Sequence, residues 1–221
     1  MSKSGILKSS LSRKFAMAIS ALFLMIFLLQ HLAINITAVF SPETFNELSH
    51  FMGTNPVVQF LAQPILIFAV VFHFVMGFIL EIRNNKARPV NYAKNNGAAN
   101  SSWMSRNMIY SGLVILAFLV LHFIDFWIPE INHKYIAMDP ADPTRYYGEL
   151  LEKFEHPARV IAYVVAFILL ALHLLHGFGS AFQSMGQNNK YIDGLKKFGV
   201  AYSILIPLGF IITAVALYLT H

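Results

Sequence analysis

Five stretches of this chain stay apolar for longer than the roughly 18 residues that mark a membrane span. In hydrocarbon a backbone N–H or C=O finds no water, so a spanning segment must satisfy its own hydrogen bonds. Helices do this within one segment. The runs cover roughly residues 15–40, 57–81, 107–128, 157–183 and 199–220. Composition agrees: 57% of the 221 residues are hydrophobic and 12% are charged, with a mean hydropathy of +0.58. A soluble domain carries about 25% charged residues. The expected fold is all-α, an integral membrane bundle of five transmembrane helices forming a single domain over 1–221.

The ends of these helices are marked. Asn55-Pro56 opens the second and His156-Pro157 the fourth, with proline where its missing N–H costs nothing. Pro207 lies inside the fifth and predicts a kink. The basic arm Met1–Lys14 runs into an apolar stretch too long for a signal peptide, and is read as leading a retained helix. Ser41-Pro42 before Phe45, Leu48 and Phe51, and Asp142-Pro143 before Tyr146, Tyr147, Leu150, Leu151 and Phe154, predict two short interfacial helices. Residues 84–102, rich in Asn, Ala and Lys, read as a loop.

Basic residues give an orientation. Of the 16 Lys and Arg, 12 fall in the N-terminal arm, the second-to-third connection and the fourth-to-fifth connection. The first-to-second connection has none, and in the third-to-fourth acidic residues outnumber the basic ones. The positive-inside rule then places the N-terminus of a multi-pass protein in the cytoplasm and the C-terminus outside. The net charge of +5 is explained by these helix ends and calls for no nucleic acid.

Within this frame, four of the five segments hold a histidine well inside: His31, His73, His122, and the pair His173 and His176. An ionisable side chain at membrane depth is a functional candidate by default. A rise of about 1.5 Å per residue converts position to depth. His31 lies about 25 Å beyond Lys14 and His122 about 24 Å beyond Arg106, a shared outer level. His73 lies about 15 Å before Arg83, and His176 about 10 Å and His173 about 15 Å before Gln183, an inner level. With no cysteine in the chain, disulfides, thiolate-bound zinc and chain-held iron–sulfur clusters are excluded. Two pairs of imidazoles at two depths predict two haems between the helices, each with both axial positions filled. Depth alone does not choose between His173 and His176. Gly77, Gly177, Gly179, Ser180 and Ala33 are small residues near these histidines, as a bulky group between helices requires.

The run His173-Leu174-Leu175-His176-Gly177-Phe178-Gly179-Ser180-Ala181-Phe182-Gln183 resembles the fourth-helix motif of the dihaem cytochrome b membrane subunit of succinate dehydrogenase and fumarate reductase, in its single-chain, five-helix form. Trp103-Met104-Ser105-Arg106-Asn107-Met108 is similar to that family's entry into the third helix, and Ser9-Ser10-Leu11-Ser12-Arg13-Lys14 to its N-terminal arm. The resemblance implies a membrane anchor that passes electrons from an iron–sulfur subunit through two b haems to a quinone, by resemblance menaquinone. A flavoprotein and the iron–sulfur protein would dock on the cytoplasmic face of a bacterial inner membrane. The chain itself offers no flavin or dicarboxylate chemistry.

Carried over, the resemblance gives His73 and His176 to the inner haem, because the family ligand is followed directly by Gly, and His31 and His122 to the outer haem. It makes Arg13, Lys14, Ser20, Trp103, Ser105, Arg106 and Lys190 candidate donors to haem propionates. At the outer quinone end the candidates are Glu47, His50, Gln59, Gln63, Asp125 and Trp127, with Glu47 and His50 sharing a helix face as a proton entry. Some fumarate-reducing members carry a Glu two residues before the fourth-helix ligand; Leu174 stands there in this chain, which favours succinate oxidation. Two other functions share the apolar and histidine pattern: an anchor of another respiratory enzyme, of hydrogenase or formate dehydrogenase type, and a haem-free membrane protein relaying protons. The orientation is testable by itself. Reporter fusions in the 84–102 connection should read as cytoplasmic, and fusions near Asp142 as external.

Overall fold

The computed structural model describes residues 10–86, 108–186 and 192–220. Its helices in chain order are α1 (Ser10–Asn35), α2 (Thr37–Phe40), α3 (Pro42–Thr54), α4 (Gln63–Lys86), α5 (Met108–His122), α6 (Ile128–Ile131), α7 (Arg145–Phe154), α8 (Pro157–Ser184) and α9 (Ile192–Leu219). Single π-helical stretches at Val58–Ala62, Phe123–Trp127 and Asn132–Ile136 join some of them. No strand occurs among the described residues. Five continuous helical runs are long and apolar enough to cross a membrane: Leu11–Phe40, Val58–Asn84, Met108–Ile136, Pro157–Ser184 and Ile192–Leu219. The protein is an all-α bundle with the build of a multi-pass membrane protein.

Two spans depart from the sequence expectation. The third continues past Pro129 to Ile136 instead of ending near 128. Pro129 falls in the first turn of α6, where it has no N–H to satisfy, and the π-helical stretch before it accommodates the ring. The fifth starts at Ile192, seven residues before the apolar run, because Asp193, Lys196 and Lys197 can be helical outside the hydrocarbon. The helix also runs through Pro207 without interruption. The two short outer helices form as expected. Ser41 caps α3, its hydroxyl accepting the Thr44 N–H at 3.1 Å. Before α7 the Asp142 carboxylate accepts the Thr144 N–H at 2.8 Å and its hydroxyl at 2.7 Å. These bonds to the charged form hold the Asp142 carboxyl below its ordinary pKa.

Packing is uneven, and the unevenness positions the histidines. Of the most apolar stretch of the fifth span 44% is buried, against 6% in each of the second and third. Lipid offers no hydrophobic drive between helices, so close approach through small residues and polar bonds must hold them. The fifth span has both. Gly199 lies under the Phe178 ring and Gly209 under Leu32. The Tyr202 hydroxyl donates to the Met25 carbonyl of the first span. Phe210 stacks on Phe167 with centroids 5.2 Å apart. The first, fourth and fifth spans therefore form a packed unit, against which the second and third lean. A side chain at Gly199 would enter the Phe178 ring. Gly199→Val is expected to cost about 1–3 kcal/mol by overpacking, seen as a lower unfolding temperature in detergent, whereas Gly179→Val, with nothing nearby, should leave it unchanged.

Candidate functional site: paired imidazoles at two levels and an outer polar cluster

Each of the four histidine-bearing spans brings one imidazole to a partner on another span. At the outer level His31 of the first span faces His122 of the third, with ring centroids 5.8 Å apart and planes at 88°. At the inner level His73 of the second faces His173 of the fourth, with centroids 6.3 Å apart and planes at 66°. Metal–imidazole bonds are about 2 Å long, so two rings sharing one metal have centroids about 6 Å apart. Both pairs have that spacing.

The inner partner is His173, where the sequence reading chose His176. Three residues along a helix turn a side chain about 60° away and shift it by almost one turn. His173 makes the ring contact with His73, and its Nδ1 lies 3.2 Å from the Ser111 hydroxyl of the third span. His176, partly buried like His173, stands almost one turn nearer the inner end and makes no ring contact with His73. His73 has the matching arrangement: its Nδ1 lies 3.2 Å from the hydroxyl of Ser20, a buried residue of the first span. Ser20, expected among the propionate donors, is thus occupied by a histidine.

The surroundings of the outer pair are aromatic. Phe27 stacks on His31 at 5.2 Å and Phe210 lies 5.7 Å from it. Phe118, Phe126 and Tyr163 surround His122 at 5.9, 5.1 and 6.4 Å. The His31 Nδ1 has the Asn35 amide at 3.4 Å, while the His122 Nδ1 is buried with no hydrogen-bond partner. One turn on, Asp125 is buried and fully engaged: it pairs with Arg159 and accepts the Tyr163 hydroxyl at 2.7 Å. Its carboxylate bridges the third span to the fourth, so it is no free quinone contact. Trp127 is half-exposed against Phe123.

A second constellation lies at the outer ends. The Gly53 carbonyl, near the end of α3, accepts from both Lys134 and Gln59. Tyr135 donates to Gln59 at 2.7 Å. Glu130 binds Lys134 and Arg145, and Arg145 also reaches Glu149 at 2.7 Å and covers the Tyr146 ring at 4.3 Å. Burial works against the charge on Arg145, but its two carboxylates outweigh burial and raise its pKa. Burial, then the Glu130 charge, raises the Tyr146 hydroxyl. His50 sits beside Tyr146 with centroids 6.1 Å apart, and its Nδ1 is buried without a partner. Glu47 is exposed on the same helix.

Of the other sequence candidates, Arg13 and Lys14 occupy the first turns of α1, Arg13 half-buried and Lys14 exposed, and Gln63 begins α4. Trp103, Ser105, Arg106 and Lys190 lie outside the described residues. Sequence reasoning does not single out Ser111, Tyr163, Arg159 or the clustering of Glu130, Lys134, Arg145 and Tyr146. A hydroxyl inside an apolar helix is the signal that points to Ser111. Among the described residues no three His, Asp or Glu converge as a metal cluster.

No protein-family model, curated protein or solved structure matches this chain.

The Asp125–Arg159 pair gives a test of the outer site's architecture. Arg159→Leu strands a carboxylate that is 1% exposed and should cost about 3–5 kcal/mol. Asp125→Leu leaves an arginine with one third of its side chain exposed and should cost less. In the double variant the loss should be smaller than the sum, read by thermal unfolding in detergent.

Proposed function

We propose that this chain is the membrane anchor and electron-transfer subunit of a succinate:quinone oxidoreductase, carrying electrons from a cytoplasmic iron–sulfur subunit through two b haems to a quinone at the outer end. The observation that carries the reading is the pairing of four imidazoles, one from each of four spans, at the spacing two axial ligands need. A bare ion would need more protein ligands than a pair supplies. A haem brings four nitrogens of its own and needs only the pair. The thin packing of the second and third spans is consistent with a bulky group between helices.

Haem bound in this way supplies one-electron transfer at two depths of the membrane. The residues of this chain then have distinct tasks. His31 and His122 would hold the outer haem, and His73 and His173 the inner one. An iron held by two imidazoles would carry electrons and would not activate oxygen. Phe27, Phe118, Phe126 and Phe210 keep water from the outer pair. At the outer cluster His50 has an unused hydrogen-bonding nitrogen for a quinone oxygen, and exposed Glu47 is the solvent end of its proton supply. The basic connections support a cytoplasmic N-terminus; the flavoprotein and iron–sulfur partners on that side, and the bacterial inner membrane, follow from the sequence resemblance. Menaquinone as acceptor, and succinate oxidation as direction, follow from the sequence resemblance. With His173 as ligand the position two residues before it is Ala171, which carries a proton no better than Leu174 does.

A pyridine haemochrome assay on the purified chain should give two b haems, and none would overturn the reading. His31→Ala and His122→Ala should each remove one haem, as should His73→Ala and His173→Ala, while His176→Ala keeps both. Unchanged haem content in His31→Ala and His122→Ala would refute the outer site. Loss in His176→Ala with retention in His173→Ala would return the inner ligand to His176. Co-purification of a flavoprotein on the cytoplasmic side separates this anchor from hydrogenase or formate dehydrogenase types.

A further inference from the structure

We infer that Ser20 and Ser111 are positioning residues of the inner pair, each fixing which nitrogen of its histidine carries the proton. The inference rests on the inner-haem reading above. A serine hydroxyl has one proton to give and two lone pairs to receive with. The Ser20 hydroxyl donates that proton to the Met17 carbonyl at 2.8 Å, one turn back on its own helix. The Ser111 hydroxyl does the same to the Met108 carbonyl at 2.9 Å. Each serine is therefore left as an acceptor toward the imidazole nitrogen 3.2 Å away. The Nδ1 of His73 and of His173 must then be the N–H of its ring, and Nε2 the nitrogen with the free lone pair. The two histidines have identical polar partners, drawn from two different spans, and both end with Nε2 as the ligating atom.

The consequence extends beyond orientation. A ligating imidazole that donates its other N–H to an acceptor is a more basic ligand, and it favours the more highly charged metal state. The serines hold the inner iron toward the ferric form. The outer pair has no equivalent: His122 Nδ1 has no partner, and His31 has an amide at 3.4 Å. Removing the serines should therefore move the inner haem and leave the outer one in place.

The test is a potentiometric titration of the purified chain with both haems bound, followed by optical and low-spin electron paramagnetic resonance spectra. In Ser20→Ala and Ser111→Ala the inner haem should become easier to reduce, by about tenfold in its oxidised-to-reduced ratio, which is about 59 mV for one electron. Its low-spin signal should shift too. The outer haem should titrate as in the parent, and Ser111→Thr, which keeps the hydroxyl, should restore the parent value. Where an alanine variant loses the inner haem altogether, recovery in the threonine variant supports the inference and failure to recover counts against it. An inner potential and signal unmoved in both alanine variants overturns the inference while leaving the two-haem reading intact. A parent chain without haem overturns the reading on which it rests.

Discussion

An imidazole has two ring nitrogens, and at membrane depth water satisfies neither. That constraint organises this molecule. A buried polar group without a partner costs free energy comparable to a lost hydrogen bond, a cost that His122 bears at Nδ1 and that the inner pair avoids. His73 and His173 meet the demand at Nδ1 with serine hydroxyls from neighbouring helices. Their rings meet with centroids 6.3 Å apart. The serines in turn spend their protons on carbonyls of their own helices, so the chain of donors closes without water.

The packed unit of first, fourth and fifth spans makes this placement possible. The fifth span contributes no histidine to the pairs, yet its glycines and Tyr202 lock it to helices that do. His31 and His173 ride on that unit, and His73 and His122 are delivered by the more loosely held second and third spans. Each pair therefore joins one histidine on the rigid unit to one on a leaning helix. The Asp125–Arg159–Tyr163 bridge, one turn from His122, ties the third span to the fourth by polar bonds beside the aromatic contacts of Phe118 with Tyr163 and Phe167.

Much of this was legible in the sequence, for identifiable reasons. Run length gave the five spans because hydrocarbon thickness sets a minimum that these runs exceed. Rise per residue gave the levels of the histidines, and the outer pair emerges with the partners expected from depth. Rise per residue is blind to rotation about the helix axis, which is what separates His173 from His176. Their distinction depends on which way the second span faces, a property of packing. Asp125 was ambiguous for the same reason: its partners Arg159 and Tyr163 belong to another helix, 34 and 38 residues away. The extension of the third span was hidden because Pro129 reads as a stop, and a π-helical stretch turns it into a continuation.

That extension has a consequence of its own. A helix of 29 residues is about 43 Å long, while the hydrocarbon core is about 30 Å thick. The helix is longer than a bilayer core requires, and its last turns carry Glu130 and Lys134 to Arg145 and the α3 carbonyl of Gly53. The deep pairs are insulated from mobile ions by lipid and protein. This outer clasp, built from partly exposed charges, is within reach of them and weakens as the Debye length shortens. Salt outside the membrane therefore acts on how firmly the bundle is capped, with no direct hold on what the bundle contains.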